Sequence, residues 1–221
     1  MNDGLETFVR GTLGHEARDL DLFDRALTHS SLGRDSYERL EFLGDRVLGL
    51  VIARLLYERY PNESEGQMSR RYNALVARET CAEIGREMGL PKLIRVGKQA
   101  REDRASESDN VVGDVVEGLI GALFIDAGLE AAQRFILAAW APLLESQGRA
   151  PEHPKSALQE LAAARGLRAP EYELVARTGA HHAPRFKVRV SVPRLGEAEA
   201  EGASKQEAET SAAQALLDRL K

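Results

Sequence analysis

The 221-residue sequence predicts an all-α domain over residues 1–148, a short tether at 149–153, and an α+β domain with the order α-β-β-β-α over 154–221. Three observations predict it. Up to about Glu145, apolar residues recur three and four apart, the spacing of amphipathic helices. At SQGRAPEHP (146–154) the composition turns polar, with one Gly and two Pro. Beyond it, YELVART, FKVRVSV and EAEAE alternate with period two, flanked by helical patterns.

Each element has its own signal. LFDRALTH, YERLEFLGDRVLGLVIARLLYERY, MSRRYNALVARETCAEIGREMG and DNVVGDVVEGLIGALFIDAG read as helices. Breaks fall at Gly33, at Pro61-Asn62, at Gly89-Leu90-Pro91 and at Gly128. In the second domain, a helix from Lys155 to Arg165 stops at Gly166. Ser204 then caps a final helix, Lys205 to Leu220.

Composition narrows the setting. The chain is 43% hydrophobic and 29% charged, which suits a folded soluble protein. A single cysteine, Cys81, excludes an intrachain disulfide and suits a reducing compartment. No apolar run approaches the ~18 residues of a membrane span, and MNDGLETFVR is not a secretory leader. A cytoplasmic protein without membrane contact is expected. The net charge of −5 is uneven: residues 152–221 carry eleven bases against ten acids, and residues 1–151 carry nineteen against twenty-five.

Two stretches carry chemistry. On the helix from Tyr37, Glu38, Glu41 and Asp45 fall within about 60° of one another at ~100° per residue. Leu40, Leu43, Val47, Leu50 and Val51 gather roughly opposite. The plainer reading makes the acids a solvated face, with Glu38 closing a capping box with Asp35. Against it, Glu41 and Asp45 are a like-charge i,i+4 pair. In GDVVEGLIGALF, Asp114 and Glu117 are i,i+3 neighbours, with Gly118 and Gly121 leaving room for a second backbone. Convergence of Glu41, Asp45, Asp114 and Glu117 would demand a counter-ion. Oxygen-only ligands favour Mg²⁺ or Mn²⁺, and a metal-bound water is equipment for hydrolysing a phosphodiester. His29 reads as a hydrogen-bonded structural residue and Cys81 as an inert core thiol.

ERLEFLGDRVL (38–48) resembles the motif of bacterial ribonuclease III. THSS before it, and EGQMS (65–69) and GDVVEGLIGALFIDAG after it, match that family in order and spacing. PKSALQELAAARGLRAPEYEL and SKQEAETSAAQALL resemble a double-stranded-RNA-binding domain. The resemblance covers nearly the whole chain and implies an N-terminal endonuclease domain. It implies a homodimeric, Mg²⁺-dependent endoribonuclease, with Mn²⁺ able to substitute, that cuts double-stranded RNA. The ends would be 5′-phosphate and 3′-hydroxyl with short 3′ overhangs, and ribosomal and other structured RNA precursors the expected substrates. By motif position, Glu41, Asp45, Asp114 and Glu117 become metal ligands, with Asp45 and Glu117 the catalytic pair. Glu38 and Glu65 would lie near RNA, and Phe42 at the dimer interface.

For the second domain, the resemblance assigns RNA contacts to Gln159, Glu160, His182 and Lys205; Lys205 opens the last helix, where phosphate is favoured. Departures from the family spelling at Ala180, Ala200 and Gln206, and the acids Glu197, Glu199 and Glu201, imply a weak grip on RNA. The competing expectation is a catalytically silent RNA-binding regulator on the same scaffold, against which the intact carboxylates count.

Overall fold

The computed structural model describes residues 2–33, 35–146, 154–180 and 183–220. The chain divides into two compact units, Met1–Pro151 and Glu152–Lys221.

The first unit is helical. Its elements are α1 (Asn2–Thr12), α2 (Leu20–Ala26), α3 (Glu38–Arg59), α4 (Glu65–Leu75), α5 (Arg78–Glu87), α6 (Lys98–Glu102), α7 (Asp109–Ala127) and α8 (Leu129–Ser146). Around α7 the side chains Val112, Val115, Val116, Leu119, Ile120 and Leu123 are all fully buried. A helix apolar on nearly every side belongs inside a domain, and α3 and α5 pack against it. Ser108 starts α7 by accepting the Val111 N–H, and Ser64 with Gln67 forms a capping box on α4. The fully buried Trp140 of α8 donates its indole N–H to the Leu75 carbonyl at 2.8 Å, tying α8 to the end of α4.

The crossing of α3 and α7 positions everything that follows. A Cβ on Gly44 would lie 1.7 Å from the Glu117 carbonyl oxygen, and one on Gly121 2.2 Å from that of Leu40. Only glycine lets the two backbones touch. Of the two glycines singled out on α7, Gly121 meets α3, whereas Gly118 packs on Tyr37 and Ala26.

Two sequence expectations for α3 are corrected. The Asp35–Glu38 capping box does not form. Tyr37 occupies the N-cap with helical dihedrals and no side-chain cap, Arg25 takes Asp35 at 2.8 Å, and Ser36 donates to Glu38 at 3.3 Å. Leu50 is 58% exposed rather than core. The buried arc of α3 runs through Leu40, Gly44, Val47, Leu48, Val51, Ile52 and Leu56. At ~100° per residue, Glu41 and Asp45 lie on the flank of that arc, toward α7, and not opposite it. The far side carries Phe42, Leu50 and Tyr57, all exposed.

The second unit has the order α9 (Pro154–Ala164), β1 (Glu171–Ala180), β2 (Ala183–Val192), β3 (Gly196–Gly202) and α10 (Lys205–Arg219). The strands form an antiparallel sheet in sequence order. Leu158 and Ala162 of α9, Ala212, Ala213 and Leu216 of α10, and Val190, Val192 and Ala198 of the sheet share one core. Ser204 caps α10 by accepting the Glu207 N–H. A bulge between Leu174 and Ala176 breaks the period-two alternation read for YELVART.

Candidate active site

Three carboxylates meet at the α3–α7 crossing. Glu41 of α3 and Asp114 and Glu117 of α7 each bring one oxygen within 4.8 Å of the others. The glycine contact makes this meeting possible, since Gly44 lies one turn from Glu41 and Gly121 one turn from Glu117. Asp45 lines the same cavity, about 250 Å³, together with Val76, Arg78 and Gly113. Its carboxylate is paired with the neighbouring Arg46, whose guanidinium lies 5.0 Å from the Phe42 ring centroid.

The electrostatics follow from this crowding. Glu117 is pushed up to about 7, first by burial and then by the charges of Glu41 and Asp114. Glu41 is raised by burial and by Asp114. Asp114 is raised by burial, although the Tyr37 hydroxyl donates to it at 3.3 Å and opposes the shift. Tyr37 is itself raised by burial and by Asp114, so its phenol stays a donor. Three half-buried carboxylates, all raised by burial and two of them also by a neighbouring carboxylate of the group, fit a hard divalent cation held by oxygen. Soft or imidazole-preferring metals are not matched by this donor set.

Other sequence candidates are placed as follows. Glu38 and Glu65 are exposed; Glu38 accepts from Ser36, and Glu65, the first residue of α4, accepts from Ser69 at 2.7 Å. Neither joins the carboxylate group. His29 caps the 3₁₀ turn Ser30–Leu32, with Nδ1 accepting the Ser31 N–H at 3.1 Å. Cys81 is fully buried, its thiol pushed up to about 12 by burial and by Glu117 and Asp114, which makes it a core thiol. Phe42 is 63% exposed and lines a groove of about 630 Å³ in which Leu22, Leu40, Leu43 and Ile125 alternate with Arg25, Asp35, Ser36, Glu38 and Arg39.

In the second unit, Gln159 and Glu160 are exposed on α9 and Lys205 is exposed at the start of α10. His182 lies outside the described residues. A Cβ on Gly202 would sit 2.6 Å from the Ala208 amide nitrogen, so this glycine lets the end of β3 close onto the first turn of α10. Glu209 lies 2.5 Å from Lys155 and 3.9 Å from Lys205. The crowded acids of β3 are partly answered across the sheet, where Glu199 pairs with Lys187 at 2.8 Å and Arg189 at 2.6 Å.

Sequence reading missed Tyr37 and Arg78. Tyr37 had a local signal, since it stands four residues before Glu41. Arg78 comes from a third helix, and no spacing points to it.

Both units resemble known proteins. A Ribonuclease-III-like family profile matches residues 19–143, and a double-stranded RNA binding motif profile matches 154–220. Ribonuclease 3 of Zymomonas mobilis is 57% identical over 219 residues, covering 99% of this chain and 89% of that protein. Ribonuclease 3 of Methylocella silvestris is 46% identical over 216 residues, covering 96% and 92%. The nuclease domain of ribonuclease III from Campylobacter jejuni, solved in a study of the region involved in its dimer formation, superposes with a TM-score of 0.58 at 32% identity. That match covers 60% of this chain and 93% of the other. With a helical nuclease domain first and a double-stranded-RNA-binding fold second, the chain belongs to the ribonuclease III family.

Proposed function

We propose that this protein is a cytoplasmic, homodimeric, Mg²⁺-dependent endoribonuclease that hydrolyses phosphodiesters in double-stranded RNA. It leaves 5′-phosphate and 3′-hydroxyl ends with short 3′ overhangs and acts on ribosomal and other structured RNA precursors. The observation that carries this reading is the meeting of Glu41, Asp114 and Glu117 within 4.8 Å, in a chain whose second unit is a double-stranded-RNA-binding fold. The nuclease domain spans 1–148, the tether 149–153 and the RNA-binding domain 154–221.

Glu41, Asp114 and Glu117 would hold Mg²⁺, with Asp45 joining them once its carboxylate leaves Arg46. The ion would supply a water acidified for attack and charge to stabilise the phosphorane-like transition state. Asp45 and Glu117 form the catalytic pair. Without a cation, burial and two adjacent carboxylates hold Glu117 at about 7; a bound divalent ion would draw it down and keep it ionised as a ligand. Tyr37 fixes one oxygen of Asp114 and so orients that carboxylate.

RNA is held by the second unit. Gln159 and Glu160 face the minor groove with its 2′-hydroxyls, His182 reaches a second minor groove, and Lys205 meets phosphate at the N-terminus of α10. Glu38 and Glu65 border the RNA path on the nuclease domain. Phe42 inserts at the dimer interface, since a large aromatic exposed to 63% beside a groove marks a contact surface. The groove at Phe42 supports this reading.

The test is cleavage of long duplex RNA with Mg²⁺ or with EDTA, by wild type and by Glu117→Gln. Cleavage is expected only from wild type with Mg²⁺, while both proteins shift the duplex in a binding gel. Cleavage by Glu117→Gln free of wild type would remove Glu117 from the mechanism.

A further inference from the structure

We infer that Arg78 contacts a backbone phosphate of the bound RNA at the mouth of the carboxylate cavity, an inference that rests on the nuclease reading above. Arg78 opens α5 and lines the cavity alongside Glu41, Asp45, Asp114 and Glu117. Its place is fixed by α7: a Cβ on Gly113 would lie 3.2 Å from the Arg78 carbonyl oxygen and 3.3 Å from its Cγ. The base of the side chain is therefore wedged beside Asp114, while the residue as a whole is exposed.

Its pairing is unusual for a cation among acids. Among the described residues, its guanidinium donates to the neutral Asn110 amide at 3.2 Å, and no carboxylate forms a salt bridge with it. Yet its charge acts on all three clustered acids, drawing Glu41, Asp114 and Glu117 downward against the effect of burial. Arg46, the other cation acting on Glu41 and Glu117, is engaged by Asp45 and lies near the Phe42 ring. Arg78 is thus the guanidinium at this cavity whose partner is readily exchanged.

A phosphodiester entering here meets four acids and is repelled by each. A guanidinium at the rim offsets that repulsion and offers a planar fork matched to two phosphate oxygens. Exchanging a neutral amide for an anion strengthens the hydrogen bond, because both partners are then charged.

The competing roles are a staple between α5 and α7 through Asn110, and passive balancing of the acids. Full-length Arg78→Gln, Arg78→Lys and Asn110→Ala separate them. Two quantities are read: Mn²⁺ affinity without RNA, by paramagnetic resonance, and single-turnover cleavage of a defined duplex at saturating Mg²⁺. For Arg78→Gln, cleavage should fall about tenfold, the scale of one charge-assisted hydrogen bond. Mn²⁺ affinity should hold or rise, since a repelling charge has gone. Arg78→Lys should recover part of the rate, and Asn110→Ala should cleave like wild type. Unchanged cleavage by Arg78→Gln would overturn the phosphate contact and leave balancing. A joint fall of Mn²⁺ affinity and cleavage in both Arg78→Gln and Asn110→Ala would show the staple instead. Should Arg78→Gln fail to fold, Arg78→Lys decides: a partial loss of rate with unchanged Mn²⁺ affinity supports the contact, and a wild-type rate overturns it. A wild type inert toward duplex RNA would defeat the nuclease reading itself, an outcome distinct from any of these.

Discussion

At the scale of single residues, Glu117 concentrates the tension of the site. Its carboxyl titrates near 7 instead of 4.5, raised by burial and by Glu41 and Asp114. An acid raised on folding disfavours the native state only when ionised. The penalty is absent below pH 4.5, grows between 4.5 and about 7, and is complete above that. In EDTA, Glu117→Gln should therefore be more stable than wild type at pH 8, by an amount of order 1–3 kcal/mol, and should nearly match wild type at pH 4.5. Calorimetry at the two pH values checks this; a gain of equal size at both would mean that charge is not its cause. Loss of cleavage together with a gain in metal-free stability would mark a residue kept for chemistry. The same crowding explains what was legible in the sequence here. Like-charged spacing on two helices announced the acids, but their raised pKa values arise only after seventy-odd intervening residues are folded between them.

Among the elements, the α3–α7 crossing dominates. Helical periodicity marked both helices and Gly89 and Gly128 marked breaks, because those signals are local. The choice of partner was not local: Gly121 announced a close approach without saying that Gly44 was opposite it. Leu50 misled for a related reason. An apolar side chain at helical spacing looks like core, whereas the buried arc of α3 is set by where α7 lies. Likewise the β1 bulge at Leu174/Ala176 is invisible to an alternation count, since the count assumes regular pairing. Gly44→Ala should cost about 3 kcal/mol or more, because its methyl would meet the Glu117 carbonyl at 1.7 Å and a backbone must move. Gly66→Ala is the control: its new methyl would meet the flexible Arg70 Nη1 at 3.8 Å, so α4 should gain up to ~1 kcal/mol from helix propensity. Urea titrations of the pair measure both, and equal midpoints would mean that the crossing tolerates a side chain.

For the whole molecule, two units with separate cores imply separable functions. A chain ending at Gly148 should melt cooperatively, sediment as a dimer and retain cleavage at low salt. Its affinity for duplex RNA should fall most at moderate salt, where phosphate contacts are screened. A monomer in sedimentation would remove the interface proposed at Phe42, and an unfolded chain would remove the proposed boundary. The RNA-binding unit carries eleven bases against ten acids, and Lys187 and Arg189 are already committed to Glu199. Its hold on RNA therefore depends on a few well-placed groups more than on bulk charge.

The contact of Gly44 with Glu117 has one more consequence. The main chain of an acid proposed to do the chemistry is itself the surface on which the neighbouring helix rests. The spacing between facing carboxylates is thus a hard dimension, set by backbone thickness, and side-chain reach is the only adjustable length. Shortening Glu to Asp withdraws an oxygen by ~1.5 Å, one carbon–carbon bond, and no sliding of the helices can restore it. The aperture is then a fixed gauge, and the cation proposed for it would be selected by size, because the walls could not follow the ion.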